Sequence, residues 1–428
     1  MAQSATDQTP KAGGDGERFF TAPLIIIFFT VFIDLVGFGM VIPILPFYAE
    51  TPPFSASPFE IGLLISIYSW MQFVFSPILG RLSDRFGRRP LLFISLLGSV
   101  AGYLVIGFAH TLPLVFLGRV ISGITGGNIS IAQAYVADVT SRENRAKGMG
   151  LFGAAFGLGF VLGPGIAGVL SKYGVQIPFF FAAAFSFVSA LGVLFLLPET
   201  VKRGAAIAEA APRRAGRLAE LAASFKERDF GLVNLVYFLL ITAFSIMTYA
   251  FVLYTSFRFG YNAEQNGYLF FLVGLVSVVG QGALFHLLVK RFGEPVLAAV
   301  GCLIMCACFV VVPAVGPAYG GLSALIAVCI FLSLGNAMAS PALTSLVSKI
   351  SSEEKQGSSL GIMQSAASLA RAIGPMIGGV LLNNAFSKID NSTINRTFWT
   401  AAAIMLAAFV MAVYAVRMVR QSVPHTEV

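Results

Sequence analysis

Charge is scarce in this chain. Asp, Glu, Lys and Arg make up only 11% of its 428 residues, against about a quarter in soluble domains. Histidine is rarer still: His110, His286 and His425 are the three copies. None stands beside a paired carboxylate, so no nucleophile–base pair or metal cluster is in view, and the sequence argues against an enzyme, a metal site and a bound cofactor. Cys302, Cys306, Cys308 and Cys329 all lie inside apolar runs. That placement excludes a disulfide framework and reads as small buried hydrophobes. The alternation of apolar and polar residues that marks outer-membrane barrel strands is absent. So is a signal-peptide pattern, because the polar start leads into a full-length apolar run ending at Pro43 and Pro46.

What remains is apolar. Hydrophobic residues are 57% of the chain and mean hydropathy is +0.83. A helix needs roughly 20 apolar residues to cross a bilayer core of about 30 Å. On that rule the sequence predicts an all-α membrane protein with twelve spans. The first six are near 23–47, 60–80, 90–109, 112–137, 146–170 and 177–197. The second six are near 230–256, 265–289, 295–313, 319–347, 357–384 and 396–418. The implied organisation is a tail (1–22), a six-helix bundle (23–197), a charged, Ala-rich connector (198–229), a second bundle (230–418) and a tail (419–428). The connector carries a candidate surface helix.

Lys and Arg are sorted by side. One side collects Lys11 and Arg18, the Arg81–Arg89 cluster, Arg142, Arg145 and Lys147, the connector, Lys290, Arg291, Lys349, Lys355, Arg417 and Arg420. The other has Lys172, Arg258, Lys388 and Arg396. Basic residues concentrate in cytoplasmic loops, so both termini are expected in the cytoplasm of a cell whose inner membrane holds the protein. The net charge of +8 then needs no nucleic-acid partner. The halves also echo each other. LGPGIAGVL around Gly163-Pro164 is answered by IGPMIGGVL around Gly374-Pro375, and DRFGRRP by KRFGEP. Two parallel six-helix repeats are an architecture of secondary transporters.

Ionisable groups inside the membrane are costly, about 2.5–3.5 kcal/mol each on insertion scales, and so they point to function. Three are deep: Asp34, Arg119 and Arg371. Burial disfavours a charged carboxylate and a neighbouring cation favours it. A group poised between those effects can take up and release a proton, which makes Asp34 the candidate coupling site; a fixed salt bridge or a structural hydrogen bond is the alternative. Arg119 keeps its charge and has Asp34 as its nearest plausible partner if spans one and four meet. Arg371 has no deep acid in its half. Facing a cavity, it would favour anionic or zwitterionic ligands. Tyr68, Gln72, Asn128, Gln133, Asn234, Tyr237, Gln281, Asn336 and Gln364 are the neutral polar candidates for lining a cavity rich in Phe. Gly-Pro pairs remove a helix hydrogen bond and permit a kink, which makes Gly163, Pro164, Gly374 and Pro375 candidate conformational elements.

GRLSDRFGRRPLL (Gly80 to Leu92) resembles the loop 2–3 signature of the major facilitator superfamily. LGRVISGITGG resembles its span-four arginine motif, and GFVLGPGIAG its span-five antiporter motif, with Ala167 where glycine is usual. LPET at 197–200 closes the half. DLVGFGMVIPILP and RFGYN are similar to segments of twelve-span drug:proton antiporters, closest to the tetracycline-efflux branch. That resemblance implies alternating access, Asp34 as the protonatable site and Arg119 as its electrostatic partner. It implies that Gly80, Asp84, Arg85, Gly87 and Arg88 latch the cytoplasmic side in the outward-facing state, and that Gly163-Pro164 contributes to gating. The sequence departs from tetracycline pumps where Gly102 and Met305 align with their acids and Ser277 with a histidine. The expectation is a monomeric exporter exchanging amphipathic small molecules for protons. A symporter or uniporter for a sugar, amino acid or organic anion is the alternative.

Overall fold

The computed structural model describes residues 21–141, 144–201, 228–351 and 356–422. Most of the 1–22 tail, most of the connector with its candidate surface helix, and most of the 419–428 tail lie outside them. Without water, backbone polar groups must be satisfied within the segment, and a helix does this. Among the described residues, twelve helices are long and apolar enough to span a membrane. They are α1 Ala22–Glu50, α2 Pro58–Phe86, α3 Arg88–Gly107, α4 Leu112–Val139, α5 Arg145–Ser171, α6 Ile177–Leu196, α7 Arg228–Phe259, α8 Ala263–Phe292, α9 Glu294–Val311, α10 Gly321–Ile350, α11 Gln356–Leu382 and α12 Asn391–Ser422.

Several helices run past the apolar stretch that announces them. α2 continues from the expected end near residue 80 to Phe86, because LSDRF is helix-compatible outside the bilayer. Local chemistry sets the starts: Ser57 and Glu60 form a reciprocal capping box at α2, and Asn262 and Gln265 form another at α8. Two interruptions are not visible in hydropathy. α4 breaks at Gly126-Gly127 into Leu112–Thr125 and Asn128–Val139. α8 contains a π-helical turn at Gly280–Leu284, a local widening that often sits at functional positions.

Helix pairing repeats between halves. In the first, α1 packs on α5 and α6, α3 on α4 and α6, and α2 on α4. In the second, α7 packs on α11 and α12, α9 on α10 and α12, and α8 on α10. The halves meet chiefly through α2 with α11 and α5 with α8.

These four helices approach most closely at one end. A Cβ on Gly62 of α2 would lie 2.6 Å from the Pro375 carbonyl oxygen of α11, and one on Gly267 of α8 would lie 2.6 Å from the Gly168 Cα of α5. Toward the other end of the same helices, a Cβ on Gly80, Gly150, Gly153, Gly282 or Gly361 would meet nothing within 4 Å. Among the described residues the halves are therefore open toward the end where α6 finishes and α7 begins, and closed at the opposite one. Tyr249 of α7 bonds the Pro58 carbonyl across the closed end.

A Lys172–Glu264 ion pair, 3.0 Å, also crosses there. That contact holds the Lys172 ammonium above its usual range. A raised pKa means the pair's contribution is whole below the unfolded value and fades as pH climbs through the folded one. Both groups reach water, so the pair is weak. Glu264→Gln is expected to change the closed-end population by less than about threefold, and less still at high salt, as read by spin-label distances.

Candidate functional site

Asp34 sits in the middle of α1. Its Oδ2 accepts from Asn128 Nδ2 at 2.6 Å and its Oδ1 from Ser186 Oγ at 3.1 Å, so α4 and α6 both hold it. The break at Gly126-Gly127 is what brings Asn128 to the carboxylate. A cavity of about 10 Å³ adjoins, lined by Thr30, Leu92, Leu96 and Asn128 among others; that is room for about one water. Amide and hydroxyl partners can each donate or accept, so this pair of neighbours can satisfy the ionised and the protonated carboxyl alike. A guanidinium could serve only the first.

Spans one and four do meet, at Asn128 rather than at Arg119. Arg119 is 4% exposed. Its Nε donates to the Leu64 carbonyl at 3.0 Å, its guanidinium lies 4.5 Å from the Tyr68 ring centroid, and its Nη1 is buried without a hydrogen-bond partner. Among the described residues it forms no ion pair with Asp34. Gln72 donates to the Gly126 carbonyl at 2.9 Å and so fixes the α4 break. In the other half Arg371 on α11 donates to Ser368 Oγ at 3.2 Å. Tyr237 lies within electrostatic reach of Arg371, and Tyr68 within reach of Asp34, Arg119 and Arg371.

The remaining candidates are more scattered. Asn234 is fully buried. Gln133 and Asn336 are half-buried, and Gln281 and Gln364 are exposed on α8 and α11.

At the open end, Arg88 pairs with Asp84, reaches Asp138 Oδ2 at 3.0 Å and donates to Ser83 Oγ at 2.7 Å. Arg85 lies over the Phe86 ring. Gly87 turns the chain at φ +107°, and the Glu199 carboxylate accepts the Arg88 and Arg89 amides at 2.9 and 3.1 Å. It thereby neutralises the N-terminus of α3. All these contacts lie within one half. Ser186, Asp138 and Glu199 were not singled out by sequence reasoning; only Glu199 carried a signal, in LPET.

The two Gly-Pro pairs play matching parts. Gly163 packs on α1 at Gly39, while the Pro164 carbonyl faces Gly267 of the other half. Gly374 packs on α7 at Ser245, while the Pro375 carbonyl faces Gly62. Gly102 has no space for an acid, since its Cβ would fall 2.1 Å from Ser122 Oγ and 2.8 Å from the Gly118 oxygen.

The family model of the Major Facilitator Superfamily matches residues 27–375 and 314–427. The tetracycline resistance protein, class B, of Escherichia coli is 32% identical over 356 residues, covering 82% of this chain and 86% of that protein. Multidrug resistance protein 2 of Bacillus subtilis is 30% identical over 372 residues, covering 84% and 88%. The crystal structure of the human organic anion transporter MFSD10 (TETRAN) superposes with a TM-score of 0.67 at 27% identity, covering 91% and 99%.

Proposed function

The chain belongs to the major facilitator superfamily, and we propose that it is a proton-coupled exporter of amphipathic small molecules working by alternating access. Its family and fold are those of transporters, not enzymes, and its twelve apolar helices make it a multi-pass inner-membrane protein. Relatives named for tetracycline and multidrug resistance support export. The observation that carries proton coupling is the Asp34 carboxyl between Asn128 and Ser186, partners able to serve both of its protonation states. The 23–197 and 230–418 bundles rock about the α2–α11 and α5–α8 contacts. Protonation of Asp34 favours one access state and substrate the other, each by its differential affinity. Arg119 keeps the α2–α4 contact ordered and acts on Asp34 through the Tyr68 region. Both termini are cytoplasmic, so the state described here opens inward, and the unit is a monomer. The crowding at Gly102 points away from tetracycline itself and toward other amphipaths.

The test is flux in proteoliposomes of purified protein under an imposed pH gradient. An exporter of this kind moves substrate opposite to protons and reverses when the gradient is reversed. Movement with the protons would identify a symporter, and indifference to the gradient a uniporter.

A further inference from the structure

We propose that the transported molecule carries an anionic group, a carboxylate, sulfonate or phosphate ester, held between Arg119 and Arg371 at the boundary between the halves. This deepens the exporter reading and rests on it.

The argument begins with register along α2 and α11. Gly62 meets Pro375 and Gly379, and Phe73 clusters with Ala366, Ile362 and Leu369. The helices run antiparallel, so Tyr68 falls opposite Arg371. Arg119 already covers the Tyr68 ring. The three side chains therefore form one row across the boundary between halves, with a guanidinium from each half. Neither cation has a carboxylate at ion-pair distance among the described residues. The one deep acid, Asp34, is engaged by Asn128 and Ser186.

A desolvated cation is costly unless paired, and two of them near one ring repel. Arg119 makes the deficit explicit, because its Nη1 is buried with no hydrogen-bond partner. Among the described residues, the hydrogen bond that holds Arg371 is to Ser368 on its own helix. Planar guanidinium forks match carboxylate, sulfonate and phosphate oxygens, often bidentately. Next to the row, Phe73 and Phe238, one from each half, pack into one apolar cluster with Ile362, Ala366 and Leu369. Anion at the arginines and apolar body on the phenylalanines is the chemistry of an amphipathic anion. Such a ligand would also pull the halves together at their boundary, giving it the differential contact that a transported species needs.

The experiment compares carboxyfluorescein, an amphipathic anion, with ethidium, an amphipathic cation, on purified protein in phosphatidylcholine nanodiscs by fluorescence anisotropy. Wild type is expected to prefer the anion. Arg371→Gln is expected to weaken anion binding at least about tenfold and shift preference toward ethidium, and Arg371→Lys to restore part of the loss. Cation preference in wild type, or unchanged anion affinity in Arg371→Gln, overturns the proposal. Loss of anion binding when nanodiscs contain phosphatidylglycerol would assign the arginines to a lipid headgroup and also overturn it. Failure here is separable from failure of the exporter reading. Proton-driven ethidium flux without anion binding sinks only this inference, while Arg371-dependent anion binding without proton-driven flux sinks only the exporter.

Discussion

Asp34→Asn is expected to abolish uphill transport while leaving substrate exchange at zero gradient within about tenfold of wild type. One pH unit is worth about 1.4 kcal/mol per proton, so a one-to-one exchanger can hold about a tenfold substrate gradient for each unit imposed. A carrier with no titrating group in the path can hold none. Asn is close to isosteric with Asp and keeps partners for Asn128 Nδ2 and Ser186 Oγ, now 2.6 and 3.1 Å from the carboxyl oxygens. The contacts among α1, α4 and α6 should therefore survive, and the loss would be of coupling rather than of fold. The two readouts are accumulation under a pH gradient and counterflow at equal pH, on the same proteoliposomes. Uphill accumulation retained by Asp34→Asn would remove the coupling role from this residue. Loss of both readouts would point to a packing defect, which thermal unfolding of the purified variant would reveal.

Why Asp34 could be found in the sequence, and its partners could not, follows from cost. A carboxylate in the middle of an apolar run stands out because the membrane makes it costly. A serine does not, since many spans carry one, and Ser186 lies in FSFVSA with nothing to mark it. Arg119 was equally legible, but proximity in a bundle depends on helix rotation, which hydropathy does not encode. The Gly126-Gly127 break turns Asn128 toward α1 and leaves Arg119 against Leu64 and Tyr68. The twelve spans were readable because each needs only length and apolarity. The Gly163-Pro164 and Gly374-Pro375 repeat was readable as a sequence echo, yet its double use was not. The sequence suggested a kink. The structure adds a glycine packed inside each half and a proline carbonyl facing the other half's glycine.

That double use sets the second large effect. Gly267→Leu is expected to prevent the end now closed from closing, and to lower transport at least about tenfold. A Cβ at 267 would stand 2.6 Å from Gly168 Cα and 2.7 Å from the Pro164 oxygen, both backbone atoms of α5 with no side-chain freedom to yield. Inside one tightly packed half, overpacking of this kind costs about 1–3 kcal/mol of fold stability. Between two bodies that must separate anyway, the strain has an easier release, which is to leave this access state. The equilibrium then moves by the strain energy, and 1.4 kcal/mol already shifts it tenfold. The matching substitution on the other seam, Gly62→Leu, places its Cβ 2.6 Å from the Pro375 oxygen and should act in the same direction. Gly163→Leu is the contrast. Its clash is with Val36 and Gly39 on α1 of the same half, so it should lower thermal stability instead of shifting access. Spin-label distances between the facing ends of α2 and α11 distinguish these cases. Widening there with little change in melting temperature is the result expected for Gly267→Leu and Gly62→Leu. An unchanged distance in both would mean that the α5–α8 and α2–α11 seams stay shut throughout the cycle, and the two halves would then need some other boundary on which to move.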